Sequence, residues 1–328
     1  MSTTIAELAS RLNLSKGSVS RILNDKGQGF SEETRRRVFA LADEIGYRPN
    51  AVARALATGR TGFIGLWVHD LRTAYHAHVA HQMEDCLERH GYRVFISLYN
   101  KTYRNPQELP PFLPIAPDGI IAHEIWGEHS SVLFHQLAEK IPIITTGAWA
   151  PKETIDHVGV DLFPASISAM QHLVGSGRQR IAYLTDVKAS DARYEAYSSI
   201  LRESGLPEEL IESGSENRAT VRQKVRSYIE EKGCPEAIFC HNDDIAIGAY
   251  RAICDLGFSL PADVALVGCD GVEDTEYLHT PLTTIVQPLP ELCEIAAHFL
   301  ERRLAEPDAP PQHAVLIPQL VIRESSQY

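Results

Sequence analysis

The sequence predicts an all-α helix-turn-helix head with a hinge helix, followed by an α/β body of two doubly wound lobes. Two observations lead to this prediction. In the first sixty residues, apolar side chains recur at helical spacing. Beyond residue 61, short apolar runs typical of buried strands alternate with helical stretches, in two successive series. The length of 328 residues suits two domains of ~150 residues each.

Three short helices are predicted in the head. Thr3 or Thr4 can cap the first and Ser15 the second, which runs through Leu23 after a break at Asn13-Leu14-Ser15. The third begins at Ser31 and ends at Gly46, with two acidic residues in its first turn, where they suit the helix dipole. Their inward-facing positions are Ile5, Leu8, Ala9 and Leu12, then Val19, Ile22 and Leu23, then Val38, Leu41, Ala42 and Ile45.

The segment 14–23, LSKGSVSRIL, combines Gly, Ser and Lys and invites comparison with a phosphate-binding loop. A P-loop needs Gly-x-x-x-x-Gly-Lys-Ser/Thr after an apolar strand, whereas here Lys16 precedes Gly17 and a helix comes before. Three helices with a short break between the first two make a helix-turn-helix. The second helix then projects Lys16, Gly17, Ser18, Ser20 and Arg21 outward, and Arg21 can pair with a guanine in the major groove.

Charge is unevenly distributed along the chain, whose net charge is −12. Residues 1–60 carry ten basic and six acidic side chains, a balance of +4, and the remainder sums to −16. A basic head on an acidic body favours a polyanion as the partner of the head alone. Local fluctuation is the alternative, because +4 is a modest charge.

A hinge is predicted after the third helix. Pro49 ends that helix, and Asn50 can cap a short segment over 51–58 that Gly59 terminates. Eight residues are too few for a stable isolated helix, since ~12–15 are marginal. We therefore expect a linker that becomes helical only when docked; a plain tether is the alternative.

The body alternates strand-like and helix-like runs. The strands of the first series are predicted at 63–68, 92–96, 119–122 and 141–145, and those of the second at 158–160, 181–184, 237–240 and 264–268. Parallel sheets of this kind bind ligands beyond the carboxyl ends of their strands. With two lobes, the cleft between them is the expected site, and hinge closure is its expected response.

The head resembles the N-terminus of the lactose/galactose-repressor (LacI) family of transcription regulators. The resemblance lies in TTIAELASRLNLSKGSVSRILND and SEETRRRVFALADEIGYRPNAVARALATGRTGFIGL. It implies that the hinges of two subunits pair in the minor groove, where Leu56 would wedge between base steps. Asn50 and Arg54 would contact phosphates or the groove. Gly17 stands where many members place a base-reading side chain, so readout would rest on Lys16, Ser18 and Arg21. The expected DNA-contacting residues are Thr4, Ser15, Lys16, Gly17, Ser18, Ser20, Arg21, Asn24, Asn50, Arg54 and Leu56.

The body resembles the periplasmic-binding-protein-like sensor of the same family. The motifs that carry the resemblance begin at Asp118, His157, Arg180, His241, Pro261 and Pro281, in the order expected. It implies a small-molecule effector between the lobes and a homodimer, with a tetramer left open.

Polar and aromatic residues near the strand ends are the expected effector contacts. Asp70 and Asp270 can accept from sugar hydroxyls, Arg193 can donate a forked pair, and Tyr75 or Trp126 can stack on a sugar face. A strand-end Asp can instead cap the next helix, and Asn242 can simply shape its loop. The full expected set is Asp70, Tyr75, His76, His123, Trp126, Arg193, Asn242, Asp270 and Gln287.

Three motifs depart from the commoner family pattern. Thr73-Ala-Tyr-His76 replaces Asn-Pro-aromatic, Val160-Asp-Leu162 replaces Val-Asp-Asn, and Asp270-Gly271 replaces Asp-Asp. The pocket chemistry should therefore differ from that of the best-known sugar and purine sensors of the family.

No metal site or cofactor is expected. His69, His76, His78 and His81 cluster in sequence, but only the last two share a helical face, and no carboxylate completes an evident set. Pocket lining or a solvated face is the preferred interpretation. Catalysis is also unsupported, because nucleophile-elbow, Walker and zinc-protease motifs are missing.

Several features predict a cytoplasmic protein. The six cysteines form no Cys-x-x-Cys pair and are expected to be buried thiols in a reducing compartment. The N-terminus does not resemble a signal peptide, and no run of ~18 apolar residues could cross a membrane.

We therefore predict a DNA-binding regulator, a repressor rather than an activator, that recognises a palindromic operator as a dimer and is controlled by a sugar-like effector. The alternative is a soluble sugar-binding receptor without DNA-binding function. The predicted domains are 1–48 for the head, 49–60 for the hinge, and 61–328 for effector binding and dimerisation.

Overall fold

A computed structural model of the chain describes residues 4–23, 29–47, 59–98, 116–125, 130–148, 154–186 and 191–327. It divides into two compact units, with the boundary between Gly62 and Phe63. The predicted hinge falls largely outside the described residues, so the division into 1–48, 49–60 and 61–328 stays a prediction.

Three helices lie in the described residues of the first unit: α1 (Ile5–Leu12), α2 (Lys16–Leu23) and α3 (Glu32–Glu44). Their stripes meet in a small core of buried side chains, as the spacing predicted. The buried members are Leu8, Ala9, Val19, Ile22, Val38 and Ala42.

Hydroxyl caps begin each of these helices. Thr4 is the N-cap of α1 and its side chain accepts from the Glu7 amide. The Ser15 hydroxyl accepts from the Ser18 amide at 3.0 Å, at the start of α2. Ser31 caps α3 by accepting from the Thr34 amide. Asn13 adopts the left-handed conformation with φ 56°, which turns the chain between α1 and α2.

In the described residues of the second unit, the strands form two six-stranded sheets. In lobe 1 the strand order is β11-β5-β4-β3-β1-β2, and in lobe 2 it is β12-β10-β9-β8-β6-β7. The strands are β1 (Phe63–Val68), β2 (Arg93–Leu98), β3 (Gly119–His123), β4 (Ile143–Gly147), β5 (Asp156–Val160), β6 (Ile181–Thr185), β7 (Glu209–Glu212), β8 (Ala237–Cys240), β9 (Ala265–Asp270), β10 (Thr283–Val286), β11 (His313–Leu316) and β12 (Gln319–Val321). All neighbouring strands are parallel except β12, which runs antiparallel to β10.

Helices connect these strands, as a parallel sheet requires. They are α4 (Ala74–Arg89), α5 (Ser130–Ala138), α6 (Phe163–Gly175), α7 (Ala192–Ser204), α8 (Arg218–Lys232), α9 (Asp243–Asp255) and α10 (Leu289–Ala305), with a 3-10 turn at Glu273–Glu276. The chain passes between the lobes three times in the described residues: between β5 and α6, between β10 and α10, and between β11 and β12.

One strand assignment from the sequence was wrong. The run 158–160 was placed in the second series, but β5 pairs with β4, where Thr145 lies opposite His157, and therefore belongs to lobe 1. An apolar run predicts a strand but does not specify its partner, because pairing depends on contacts distant in sequence. The chain enters lobe 2 only with α6, which packs on α7 and β12.

The cysteine prediction holds for four of six residues. Cys86, Cys240, Cys269 and Cys293 are buried free thiols, whereas Cys234 is half-buried and Cys254 is exposed near the end of α9. Among the described residues, the structure contains no helix that combines the length and the apolar character needed to cross a bilayer.

Candidate functional site

The outer surface of α2 carries the predicted base-reading side chains. Lys16, Gly17 and Arg21 are exposed, and Ser18 and Ser20 are half-buried. A Cβ added at Gly17 would meet only the Ser15 hydroxyl, at 3.8 Å. The surface above Gly17 is therefore open, and another molecule can approach the helix backbone closely.

Two other predicted DNA contacts cap helices, one contacts an aromatic ring, and the rest lie outside the described residues. Thr4 and Ser15 use their hydroxyls as helix caps. The Arg21 guanidinium lies 5.2 Å from the centre of the Phe30 ring, within the range of a cation–π contact. Asn24, Asn50, Arg54 and Leu56 lie outside the described residues, as does Trp126 of the predicted effector site.

The lobe 1 side of the cleft is formed by the ends of β1 and β3 and the start of α4. His76 Nδ1 lies 2.6 Å from the Thr73 hydroxyl, and its Nε2 lies 3.3 Å from Glu124 Oε2. His123, the last residue of β3, is fully buried, and its Nδ1 lies 2.9 Å from the Thr146 hydroxyl.

The charges on this side follow from burial and from these contacts. Burial opposes ionisation of Glu124, but the hydrogen bond from His76 and the proximity of His123 lower the pKa of its carboxyl to about 2. Burial lowers the pKa of His123 to about 4, so its ring is neutral at pH 7. Glu124 is thus an anion beside a neutral imidazole.

The lobe 2 side is organised by Arg193, which lies in the first turn of α7. Its Nε donates to Asp191 Oδ2 at 2.8 Å, and its Nη1 donates to the His241 carbonyl at 2.9 Å. Its Nη2 lies 3.0 Å from His241 Nε2. Burial, followed by the charge of Arg193, lowers the pKa of His241 to about 3. The forked donor predicted from the sequence therefore already has partners within lobe 2.

A chain of hydrogen bonds joins the two sides. The Tyr75 hydroxyl of α4 donates to Gln287 Oε1 at 2.9 Å, and Gln287 Nε2 donates to Asp270 Oδ1 at 2.8 Å. Asp270 ends β9 with φ 118°, an unusual conformation for a residue other than glycine that is typical of functional sites. Burial holds the pKa of Asp270 well above its usual range. Tyr75, Asp270 and Gln287 therefore form one polar group between the lobes.

Asp70 and Asn242 make local contacts that differ from the alternatives to ligand binding, because Thr73 and not Asp70 is the N-cap of α4, and Asn242 caps α9. Asp70 accepts from the Arg72 amide at 2.6 Å and from Arg72 Nε at 2.7 Å. Asn242 caps α9 through Oδ1, which accepts from the Ile245 amide at 2.9 Å, and its Nδ2 donates to Glu216 Oε1. Their effector contacts remain a prediction.

Sequence reasoning missed four residues that contribute to the cleft. They are Glu124, Asp191, Glu216 and His241. Glu124 and His241 directly follow the last residues of β3 and β8, so the strand-end rule applied one residue further would have found both. Asp191 and Glu216 lie in loops, and no pattern in the sequence indicated them.

Both units match families of known proteins. Residues 4–50 match the family model described as bacterial regulatory proteins, lacI family, and residues 170–326 match a periplasmic binding protein-like domain. The chain is 30% identical over 333 residues to the HTH-type transcriptional repressor PurR of Mannheimia succiniciproducens, covering 98% of both chains. It is 29% identical over 330 residues to the ribose operon repressor of Haemophilus influenzae, again covering 98% of both.

Solved structures show the same fold. The lac repressor dimer bound to operator and the anti-inducer ONPF aligns over the whole of both chains, with a TM-score of 0.80 and 22% identity. A regulator from Arthrobacter sp. FB24 in complex with lactose aligns over 81% of this chain and 99% of its own, with a TM-score of 0.72 and 25% identity.

A helix-turn-helix unit joined to a two-lobed sensor-like unit defines a DNA-binding transcriptional regulator. One family model matches the first unit, a second matches much of the second unit, and a relative matches 98% of the chain. The assignment to a family is therefore specific. The chain belongs to the lacI family of bacterial regulatory proteins. The predicted regulator is confirmed, and the alternatives of an enzyme and of a receptor without DNA-binding function are set aside.

Proposed function

We propose that this chain is a homodimeric repressor that acts in the cytoplasm. It binds a roughly palindromic operator, and a sugar or sugar derivative in the cleft between the lobes of the second unit controls its affinity for DNA. The effector can change the affinity for DNA only if it binds one arrangement of the two lobes more tightly than the other. The change in the free energy of DNA binding cannot exceed that difference.

The observation that carries this proposal is the convergence of polar side chains from both lobes on one cleft. Lobe 1 contributes His76 and Glu124, and lobe 2 contributes Arg193, Asp270 and Gln287. Carboxylates, an amide and a guanidinium are the groups that fix sugar hydroxyls in a largely preformed pocket. A relative named ribose operon repressor and a structural neighbour in complex with lactose support this class of effector.

DNA recognition is assigned to α2. Its exposed face combines Lys16 and Arg21 with the open backbone at Gly17. A helix presenting such groups can place Arg21 on a guanine edge and Lys16 on a phosphate. The expected hinge wedge at Leu56 would add a bend at the operator centre.

A gel-shift titration with genomic fragments tests the DNA-binding part of the proposal. The full-length protein should bind a small set of fragments saturably and more tightly than random DNA of equal length, at a fixed salt concentration. Binding to every fragment with equal affinity would overturn the operator assignment.

A thermal-shift screen tests the effector part. Neutral sugars, sugar acids and sugar phosphates are each added to the full-length protein, because a ligand that binds only the folded state raises its melting temperature. The ligand that raises the midpoint should also change operator affinity in the gel shift. A stabilising ligand that leaves operator affinity unchanged would contradict control through this cleft.

A further inference from the structure

We propose that His76, His123 and Glu124 form a binding site for a divalent transition-metal ion on the lobe 1 side of the cleft. The site does not depend on the proposed effector or operator. It revises the expectation from the sequence that no carboxylate completes a histidine set, because Glu124 comes from a different strand end.

The donor atoms already lie close together. One ring nitrogen from each histidine and one carboxylate oxygen of Glu124 lie within 4.8 Å of one another. His76 Nε2 and Glu124 Oε2 are 3.3 Å apart. Ligands at ~2.0–2.1 Å around a tetrahedral zinc ion are separated by about 3.3 Å, so this pair already has the spacing of one tetrahedral edge.

Both histidines are held by their far nitrogens. His76 Nδ1 lies 2.6 Å from the Thr73 hydroxyl, and His123 Nδ1 lies 2.9 Å from the Thr146 hydroxyl. Metal binding would displace the proton that His76 Nε2 shares with Glu124. With each Nδ1 then donating to its threonine, each Nε2 would have a lone pair for the ion. Metal-binding histidines are oriented in this way by an oxygen acceptor behind the ring.

His123 provides a second observation, independent of the spacing of the donor atoms, that points to a bound ligand. Its ring is fully buried, and within the described part of the chain its Nε2 has no hydrogen-bond partner. A buried polar atom without a partner is costly in a native protein and calls for a ligand or ion. An ion bound at Nε2 would satisfy it.

The backbone around Glu124 is shaped to bring its side chain into the cluster. Glu124 has φ 48°, a left-handed conformation that a glutamate adopts only at a cost. A Cβ on the neighbouring Gly147 would lie 2.5 Å from Glu124 Cγ. Gly147 is therefore required for the glutamate to occupy this position.

Two other groups of possible ligands in the described residues lack an open nitrogen. In the group of Cys86, His90 and Glu294, both nitrogens of His90 are hydrogen-bonded to glutamates, at 3.0 and 3.1 Å. In the group of Asp186, Glu216 and His241, the two nitrogens of His241 lie 3.2 Å from the Tyr183 hydroxyl and 3.0 Å from Arg193.

The donor set selects the kind of ion. Two imidazoles and one carboxylate suit Zn²⁺, Co²⁺ or Ni²⁺, whereas Mg²⁺ and Ca²⁺ prefer oxygen ligands alone. Three protein ligands leave a fourth tetrahedral position for water or a small molecule. Nearby charges include Asp70 and Glu216 beside His76, and Arg193 beside Glu124. An effector hydroxyl or carboxylate could therefore take the fourth position.

The test is a titration of tag-free, metal-free full-length protein with Zn²⁺ by isothermal calorimetry, and with Co²⁺ by visible absorbance. His123→Gln and Glu124→Gln remove one ligand each. The double variant His78→Gln/His81→Gln is the matched control, because both histidines lie exposed on α4 and outside the cluster.

We expect one Zn²⁺ per chain and an intense tetrahedral Co²⁺ spectrum, both retained by the control. Each ligand variant should weaken Zn²⁺ binding at least tenfold. Wild-type protein that binds Zn²⁺ no more tightly than Glu124→Gln would overturn the site, as would loss of binding in the control. If His123→Gln fails to fold, Glu124→Gln decides alone. The metal titration contains neither DNA nor sugar. A failure of the proposed operator binding in the gel shift would therefore leave its outcome unchanged.

Discussion

The hydroxyl of Tyr75 donates a 2.9 Å hydrogen bond to Gln287 Oε1 and so joins α4 of lobe 1 to the segment after β10 of lobe 2. A second link lies beside it, where the Ala74 amide donates to Asp244 Oδ2 at 2.9 Å. Both links involve the start of α4. The closure of the cleft is therefore stabilised by polar contacts at one helix terminus, which a hinge motion would break together.

Replacing Tyr75 with Phe should weaken this closure. Tyr75 is 5% exposed, so the change leaves Gln287 Oε1 without its donor in a buried place, at a cost of ~1–3 kcal/mol. We expect the free energy of unfolding in urea to fall by that amount. Tyr277→Phe is the control, because Tyr277 is 77% exposed and the change should stay within ~0.5 kcal/mol. Equal stability of the two variants would show that the link contributes nothing.

Replacing Arg193 with Ala should abolish the effector response and leave operator affinity intact. The guanidinium holds Asp191 and His241 in place on the lobe 2 side, and lysine cannot reproduce its forked geometry. Arg193→Lys should therefore fold but respond weakly.

The measurement is operator affinity against effector concentration. Arg202→Ala, at an exposed position in the last turn of the same helix, should respond as the wild type does, and an unchanged dose response in Arg193→Ala would remove Arg193 from the site.

The fold was predictable where the signal is local. The helical stripes indicated α1 to α3, and the caps at Thr4 and Ser15 were predicted as well, because caps and stripes are properties of neighbouring residues. The partner of β5 was not predictable, since the choice between lobes depends on pairing with β4. The short strands β7, β10, β11 and β12 were also missed. The side chains of β7, β11 and β12 are partly exposed and give a weak apolar signal, and β10 spans only four residues, two of them threonine.

The cleft was predictable in outline but not in its contacts. The strand-end rule correctly brought Arg193, Asp270 and Gln287 to one region. It could not reveal that Asn242 caps α9 or that Asp70 is bonded to Arg72, because these depend on side-chain geometry. The meeting of His76 with Glu124 joins positions 48 residues apart, a distance at which sequence spacing carries no information.

Replacing Gly17 with Ala should strengthen the head and weaken operator recognition. The added Cβ meets only the Ser15 hydroxyl at 3.8 Å, and alanine favours a helix over glycine by up to ~1 kcal/mol. The methyl group would, however, occupy the open surface of α2 expected to approach the bases. Stability is read from the melting of the head, and affinity from gel shifts with operator and random DNA.

Ser10→Ala is the matched control for this change, because Ser10 is an exposed residue of the neighbouring helix α1. It should raise helix stability slightly and leave operator affinity unchanged. If Gly17→Ala binds the operator as the wild type does, close approach at this position is ruled out.

Replacing Leu56 with Ala should reduce operator affinity more than nonspecific affinity. Leu56 lies outside the described residues, and the expected wedge follows from the family resemblance. An apolar side chain inserted between base steps acts only on DNA that is bent at that place. A tenfold loss corresponds to ~1.4 kcal/mol. Gel shifts at one salt concentration measure both affinities, and equal losses would refute the wedge.

The carboxyl of Asp243 should make the stability of lobe 2 depend on pH. Asp243 is fully buried at the start of α9. Its Oδ2 accepts from the amides of Gly271 and Val272, and its Oδ1 from the Thr284 hydroxyl. Burial outweighs these hydrogen bonds and raises its pKa to about 7.

The direction in which the free energy of unfolding changes with pH follows from comparing the pKa of Asp243 in the folded and the unfolded chain. An unfolded aspartate loses its proton near pH ~3.9, whereas folded Asp243 keeps it until about pH 7. Between these values the folded state binds more protons, so the free energy of unfolding falls as pH rises, by up to ~1.4 kcal/mol per pH unit. Above pH 7 this contribution is constant.

Asp243→Asn tests this dependence because asparagine keeps the shape of the side chain and cannot ionise. Urea unfolding at pH 5, 6, 7 and 8 should show the variant gaining stability relative to wild type as pH rises, with most of the change complete by pH 7. Asp161→Asn serves as the control, since Asp161 is exposed, and its difference from wild type should be the same at all four values. Parallel curves for Asp243→Asn and wild type would show that burial does not hold the proton on Asp243.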